Sequence, residues 1–295
     1  MTEQRKQKEF EELGFSDDFM FRKVMEDPIL CRDVIECLLQ HPVGTLTECQ
    51  SERELKYTSD GKPIRLDVYN EDDTGTVYDT EMENLDHKSV EYHQLPRRSR
   101  FYQSSIDIDF LKKGGYYKNL PDSNVLFICT FDPFGKGMGK YTFKAHCEEE
   151  LSIGLKDGTT RIFYNCTYSG NDLPEDLRKL YAYISSGQAE SDLARRIDAV
   201  VLQGRKNEMW KSQYIKEQNI LYEAIEDGME IERVNTERER KRADDEAKRA
   251  DDEAKRADDE AKRADDEAKR ADDAEKRADV AEKRIAELEA LLAGK

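Results

Sequence analysis

The sequence predicts an α/β protein with a central mixed sheet flanked by helices, followed by a C-terminal helical extension and a long repeat helix or coiled coil. Three segments carry this prediction. Residues 64 to 69 alternate between apolar and polar side chains, residues 124 to 131 form a continuous apolar run, and residues 243 to 270 repeat every seven residues. The first two patterns are typical of strands and the third of a helix.

Two helices are predicted before the first strand. Ser16, Asp17 and Asp18 form a typical helix start, and apolar residues follow at helical spacing as far as Pro28 and again beyond it. Both helices should therefore pack on the sheet through their apolar faces.

Residues 64 to 84 predict a β-hairpin. Apolar residues at positions 64, 66 and 68 alternate with polar ones, which places Asp67 on the face opposite to the apolar side chains. Residues 72 to 75 supply the turn, and the second strand of the hairpin begins at Thr76.

The second strand of this hairpin carries three carboxylates. Asp79, Glu81 and Glu83 are spaced two residues apart, so they share one face of the strand. Asp67 and Glu81 can therefore meet across the hairpin or at its end. Carboxylates gathered this closely raise each other's pKa, and a hard divalent cation between them stabilises the arrangement. The alternative is an acidic hairpin that is merely solvated.

A helix and a buried strand should follow the hairpin. The helix is predicted from about Ser89 to Lys113, with Pro96 near a helix start or a break. The run from Asn124 to Phe131 is typical of a strand covered on both faces, which belongs in the centre of the sheet. Short strands are predicted at residues 141–144 and 161–166.

The C-terminal part of the chain is predicted to be helical, first from Pro174 to about Ile231 and then through the repeats. Four identical copies of ADDEAKR fill residues 243 to 270. They predict either a coiled coil or a lone solvated helix held by side-chain pairs such as Asp244 with Lys248. We expect a long helix that is oligomeric mainly at its leucine-rich end.

Three blocks of sequence carry a family resemblance. They are SDDFMFRKVMEDP, RLDVYNEDDTGTVYDTEMEN and LPRRSRFYQSSIDIDFLKKGGYYKNLPDSNVLFICTFDPFGKG. Together they resemble the recombination-promoting nuclease or putative transposase branch of the PD-(D/E)XK nucleases over roughly residues 15 to 150. The resemblance implies a restriction-endonuclease-like domain in residues 1–170. A helical extension in residues 171–236 and the repeat helix in residues 237–295 should follow it.

The resemblance also implies a metal site. Asp67 and Glu81 would hold Mg²⁺ or Mn²⁺. Carboxylate oxygens are hard ligands, which favour these two ions over Zn²⁺. Asp18, from the opening block, could reach this metal cleft, or it could cap the first helix.

One residue departs from the pattern of that branch. Its second strand usually reads E-x-Q, whereas Glu83 stands here at the position of the glutamine that orients the attacking water. Glu83 could serve as a third metal ligand or as a general base. Gln94 or Gln103 on the following helix would then take the water-orienting role.

Contacts to DNA phosphates need basic side chains, and the best candidates follow the hairpin. Arg97 and Arg98 come directly after Pro96, and Lys112 lies about one helix length later. The formal net charge of −17 opposes DNA binding at long range unless a local basic patch and a metal site offset it. The alternative is that this basic cluster is an ordinary solvated helix face.

The function implied by the resemblance is metal-dependent hydrolysis of DNA phosphodiester bonds in recombination, mobile elements or defence. The alternative is a catalytically inactive nuclease fold that serves as a binding or oligomerisation module, which Glu83 and the acidic balance favour. We also expect a homo-oligomer formed through the C-terminal helices.

The cysteines and the N-terminus predict a cytoplasmic protein. The six cysteines form no CxxC pair, which argues against structural zinc and fits buried thiols in a reducing compartment. The sequence contains no signal-peptide core and no apolar run of membrane-spanning length. We therefore expect no membrane partner.

Overall fold

A computed structural model describes residues 8–55, 64–85, 90–112 and 116–293. It is an α/β structure with a mixed sheet, helices on both faces of the sheet and a long C-terminal helix. The general fold class predicted from the sequence is therefore confirmed.

The sheet has six strands in the described residues, in the spatial order β1-β2-β3-β4-β6-β5. Strands β1 to β3 are antiparallel, β3, β4 and β6 are parallel, and β5 pairs antiparallel with β6 at the edge. The strands are β1 (Leu46–Leu55), β2 (Ile64–Asp72), β3 (Val77–Glu83), β4 (Ser123–Cys129), β5 (Lys140–Phe143) and β6 (Thr159–Asn165).

Six α-helices are present in the described residues: α1 (Asp18–Met25), α2 (Pro28–Leu39), α3 (Val90–Lys112), α4 (Glu175–Ser186), α5 (Asp192–Gly204) and α6 (Glu208–Ala293). Asp27 caps α2 by accepting hydrogen bonds from the backbone N–H groups of Ile29 and Leu30. Pro96 lies inside α3, which continues past it, so Pro96 does not mark the start of this helix. Among the helices in the described ranges, none combines the length and the apolar content that crossing a membrane requires.

Two apolar cores lie on opposite faces of the sheet. On one face, α1, α2, α4 and α5 pack against Leu126 and Ile128 of β4. On the other face, α3 covers Val125 and Phe127 of the same strand. All four side chains are fully buried. Strand β4 is therefore the central strand, covered on both faces, that its apolar run predicts.

Helices α4 and α5 share a core with α1 and α2. Ile197 of α5 is buried in that core, and Arg196 lies 2.7 Å from the carboxylate of Asp33 on α2. The chain divides into two compact units, Met1–Lys216 and Glu217–Lys295. The three-part division expected from the sequence stays a prediction.

The second unit consists of the C-terminal part of α6. Side chains of the repeats are exposed, and lysines pair with aspartates four residues earlier, as the sequence predicts. Each such pair stabilises a helix by about 0.2–0.5 kcal/mol. The pairs are Asp251 with Lys255 at 2.7 Å, Asp265 with Lys269 at 2.7 Å and Asp272 with Lys276 at 2.6 Å. Association through the leucine-rich end stays a prediction.

Candidate active site at the β2–β3 junction

Strands β2 and β3 separate at one end of their hydrogen-bonded ladder. The last paired residues are Val68 and Thr80. Beyond them, the backbone N–H of Asp67 donates to Oε1 of Glu81 at 2.8 Å, and the backbone N–H of Met82 donates to Oδ2 of Asp67 at 3.3 Å. Side-chain oxygens therefore replace the carbonyl acceptors of a regular ladder, and the two carboxylates that the sequence predicts to meet do meet.

The face of β3 that packs toward α3 is acidic. Asp79, Glu81 and Glu83 are only 0%, 2% and 4% exposed. Tyr78 and Met82, which alternate with them along the strand, point into the opposite core. Within the described residues, no N–H or O–H group donates to the carboxylate oxygens of Asp79, and the carboxyl of Asp79 interacts with that of Glu81. This face thus holds three buried carboxyls, two of which lie against each other.

Arg98 of α3 supplies a cation to this face. Its Nη2 atom lies 2.7 Å from Oε1 of Glu83 and 3.8 Å from Oε2 of Glu81. The same nitrogen donates to the hydroxyl of Tyr102 at 3.1 Å, and the Tyr102 ring stacks on Phe127. Packing against the core therefore holds Arg98 in place beside the carboxylates.

The N-terminus of α1 adds Asp18 and Arg22 to the surroundings of Asp67. Arg22 is buried and lies 3.3 Å from Asp18, which is also 3.6 Å from Arg65. The charge of Arg22 lowers the pKa of Asp67, and the charge of Asp18 raises it. Asp17, and not Asp18, occupies the cap position of α1. Asp18 therefore lies within electrostatic range of the cluster and does not cap the helix.

Burial is the main cause that raises the pKa of the carboxyls in this cluster. Loss of water raises the pKa of Asp67 to about 7, and the charge of Asp18 adds to the effect. Burial, followed by repulsion from Asp67, raises the pKa of Asp79 to about 8. The pKa values of Glu81 and Glu83 are raised for the same first reason. The cluster therefore retains protons near neutral pH.

The loop after β4 borders the acidic strand. The backbone N–H of Thr130 donates to the carbonyl of Glu83 at 3.0 Å. Asp132 then organises the turn, since its Oδ2 atom accepts a hydrogen bond from the N–H of Gly137 at 2.7 Å. Lys136, within this turn, is exposed. The loop thus places an exposed cation on a segment that begins at the acidic end of the sheet.

Gln103 lies near the opposite end of the acidic strand from Glu83. Its amide donates to the hydroxyl of Ser123 at 2.6 Å, at the first residue of β4, whereas Glu83 pairs with Cys129 at the last residue of that strand. Six residues of strand correspond to about 20 Å. The water-orienting role of Gln103 stays a prediction. Gln94 lies one helical turn before Arg98 and is exposed.

The basic residues predicted to contact DNA lie in different surroundings. Arg97 is exposed, while Arg98 is engaged by the acidic cluster. Lys112 is the final residue of α3, and its side chain is outside the described residues. DNA contact by these three residues stays a prediction.

The sequence does not predict the role of Arg98 as the counter-ion of Glu83, or the role of Tyr102 as its support. The one available signal is their spacing of four residues on a helix. That spacing places two side chains side by side on any helix, so it identifies no site by itself.

The donor chemistry of the cluster fits a hard divalent cation. Asp67 and Glu81 each accept a hydrogen bond from a backbone N–H of the other's strand, and the buried carboxyl of Asp79 lies against that of Glu81. Within the described residues, however, no group of three or more His, Cys, Asp or Glu side chains is arranged to bind a metal ion. Asp67 and Glu81 are therefore the pair that fits a cation best.

Comparisons with models of protein families, with curated proteins and with solved structures find no match to this chain. A functional conclusion therefore has to rest on the geometry of the acidic cluster and on the motif resemblance.

Proposed function

We propose that this protein is a metal-dependent endonuclease that hydrolyses phosphodiester bonds in DNA. The observation that carries the proposal is the meeting of Asp67 and Glu81 where β2 and β3 separate. Buried acidic residues with strongly raised pKa values are concentrated at functional sites, because their burial is costly unless it serves a purpose.

The architecture agrees with the proposal. An antiparallel hairpin carries the carboxylates, α3 crosses over one face of the sheet, and β4 lies parallel beside the acidic strand. This is the order of hairpin, helix and central strand that the motif resemblance implies for a restriction-endonuclease-like core.

Asp67 and Glu81 are the proposed ligands of Mg²⁺ or Mn²⁺. When bound, the cation would polarise the scissile phosphate and lower the pKa of the attacking water. Glu83 is the proposed general base, because its raised pKa brings it closer to the pH at which a base works efficiently.

Arg98 offsets the extra negative charge that Glu83 brings to this site. The ion pair of 2.7 Å fixes the Glu83 carboxylate and leaves Arg98 30% exposed. An arginine with one edge open to solvent is suited to contact a phosphate oxygen. Arg97 and Lys136, both exposed, are the proposed further contacts to the DNA backbone.

Cleavage of supercoiled plasmid tests this proposal. We expect nicked and linear products with Mg²⁺ or Mn²⁺ and none with EDTA, and single-stranded RNA in parallel reactions defines the class of nucleic acid. Folded protein that cleaves neither substrate with any divalent cation would contradict the proposal.

A second candidate is a catalytically inactive module that binds partners through a nuclease-like fold. The ion pair between Arg98 and Glu83 favours this second candidate. In that pair, the carboxylate at the position that usually orients water is bound to an arginine. In this case the protein should bind DNA or assemble through α6 without cleaving DNA, and Asp67→Asn should leave binding unchanged.

A further inference from the structure

Two thiols meet between α2 and β1. Cys31 of α2 is fully buried, and Cys49 of β1 is partly exposed. Cys31 Sγ lies 3.4 Å from Oδ1 of Asn70 in β2, and Cys49 stands directly opposite Asn70 in the β1–β2 ladder. Residues directly opposite each other in an antiparallel ladder project to the same face of the sheet, so Cys49 and Asn70 share the face that Cys31 contacts. The side chain of Asn70 thus brings the two cysteines to one place between α2 and β1.

The two thiols differ in exposure and in ionisation. The hydrogen bond from Cys31 is the main cause that lowers the pKa of the Cys49 thiol. The same contact, together with burial, raises the pKa of Cys31. The thiolate is the nucleophilic form of cysteine, so the accessible member of the pair is also the one more readily ionised. Cys31 is held beside it as a thiol.

We propose that Cys49 and Cys31 are a peroxide-sensitive modification site that closes to a disulfide between α2 and β1. The Cys49 thiolate attacks one oxygen of hydrogen peroxide, breaks the O–O bond and becomes a sulfenic acid, while hydroxide leaves. The Cys31 sulfur then attacks the Cys49 sulfur, the S–O bond breaks, and the proton of the Cys31 thiol leaves with the hydroxyl group as water. The two thiols lose two electrons to one peroxide.

A second pair of cysteines in the same chain provides a comparison. Cys166 follows β6, and its backbone N–H donates to the carbonyl of Cys129 at 2.9 Å. Both residues are buried, and burial raises the pKa of each thiol. The backbones of these two residues are adjacent, but Cys166 is buried in the core beside α2 and Cys129 in the core beside α3, so both access and placement favour only Cys31 with Cys49. Cys147 is partly exposed, and its thiol donates to Glu149, so it reports simple accessibility.

The experiment treats the folded protein with hydrogen peroxide and then blocks the remaining thiols with N-ethylmaleimide in denaturant, so that buried thiols also react. Digestion with trypsin and a glutamate-specific protease then separates Cys31, Cys37 and Cys49 into different peptides for mass spectrometry without reduction. We expect a disulfide-linked Cys31–Cys49 peptide whose mass is two hydrogens less than the sum of the two peptides. A reductant should separate it into these two peptides. Cys129 and Cys166 should remain alkylated.

Two variants sharpen the result. Cys49→Ser should abolish the linked peptide and leave Cys31 alkylated, whereas Cys147→Ser should leave the linked peptide unchanged. Sulfinic or sulfonic acid at Cys49 without a link to Cys31 would overturn the proposal. So would a link between other cysteines at the same peroxide concentration, since it would show that proximity and access at this site confer no preference. Neither outcome bears on nuclease activity.

Discussion

Asp67 and Glu81 are joined across the end of the β2–β3 ladder by a hydrogen bond of 2.8 Å from the Asp67 backbone N–H to Glu81 Oε1. The Asp67 carboxylate in turn accepts a hydrogen bond from the N–H of Met82. This reciprocal arrangement holds two carboxylates together that would otherwise repel each other. The backbone amides thus position the pair before any cation is bound, which makes the strand separation itself part of the proposed site.

Divalent cations should stabilise the folded protein through this pair. A ligand that binds the native state alone adds about 2.7 kcal/mol to the free energy of unfolding at a hundredfold excess over Kd. We expect Mg²⁺ or Mn²⁺ to raise the Tm of the wild type and to leave that of Asp67→Asn and Glu81→Gln unchanged. Glu71 lies on β2 with Asp67 but outside the cluster, so Glu71→Gln should respond like the wild type. An equal response in all four proteins would show that cations bind elsewhere.

Arg98→Gln should destabilise the protein, because it leaves Glu83 buried without its counter-ion. Breaking a fully buried ion pair costs about 3–5 kcal/mol. Arg98 is 30% exposed, so we expect a loss of about 2–3 kcal/mol in the free energy of unfolding measured with urea at pH 7.5.

Arg97→Gln is the matched control for this change. Arg97 is the exposed neighbour of Arg98, and its replacement should alter the free energy of unfolding by less than about 0.5 kcal/mol. The double variant Arg98→Gln with Glu83→Gln should recover much of the lost stability, because both charges are then absent. Additive losses in the double variant would mean that the ion pair is not what stabilises this region.

Asp79 should make stability depend on pH. Its pKa is raised to about 8 in the folded protein, against about 4 in the unfolded chain. The folded state therefore binds more protons between these values, and the stabilisation present at low pH is lost as the pH rises towards 8. In Asp79→Asn, we expect the decline in the free energy of unfolding from pH 5 to pH 8 to be smaller by about 1 kcal/mol or more.

The exposed turn residue Asp73 provides the control for the pH measurement. Asp73→Asn should retain the pH dependence of the wild type. If Asp79→Asn also retained it, the carboxyl of Asp79 would not be the group that takes up the proton.

The elements with strong periodicity are those that the sequence predicts well. The alternation that ends at Val68, the apolar run in β4 and the repeats of α6 all have the expected structure. Strand β1 (Leu46–Leu55) was not anticipated, because its charged residues give no regular alternation and it lies at the edge of the sheet, where one side is open to solvent.

The composition of the site was harder to predict than the hairpin. Spacing of two residues is enough to place Glu81 and Glu83 on one face of a strand. The side chain that reaches them from α3 depends on how that helix crosses the sheet, and local spacing does not contain that information. For this reason the pairing of Arg98 with Glu83 and the contact of Gln103 with Ser123 could not be predicted from spacing.

Removal of residues 237–295 should leave the first unit folded. The core contacts of α4 and α5 lie within Met1–Lys216, and the repeats contribute exposed side chains only. We expect the truncated protein to unfold cooperatively in a thermal melt with a Tm close to that of the full chain. Loss of a cooperative transition would show that the repeats support the core.

Plasmid cleavage with Mg²⁺ by equal concentrations of the wild type, Asp67→Asn, Glu81→Gln and Glu71→Gln tests directly whether the two carboxylates form the active site. We expect the wild type and Glu71→Gln to nick the plasmid at similar rates. The other two variants, with unchanged circular dichroism spectra, should lose activity by at least about a hundredfold. Cleavage that persists in both Asp67→Asn and Glu81→Gln would contradict the assignment of these carboxylates to the active site.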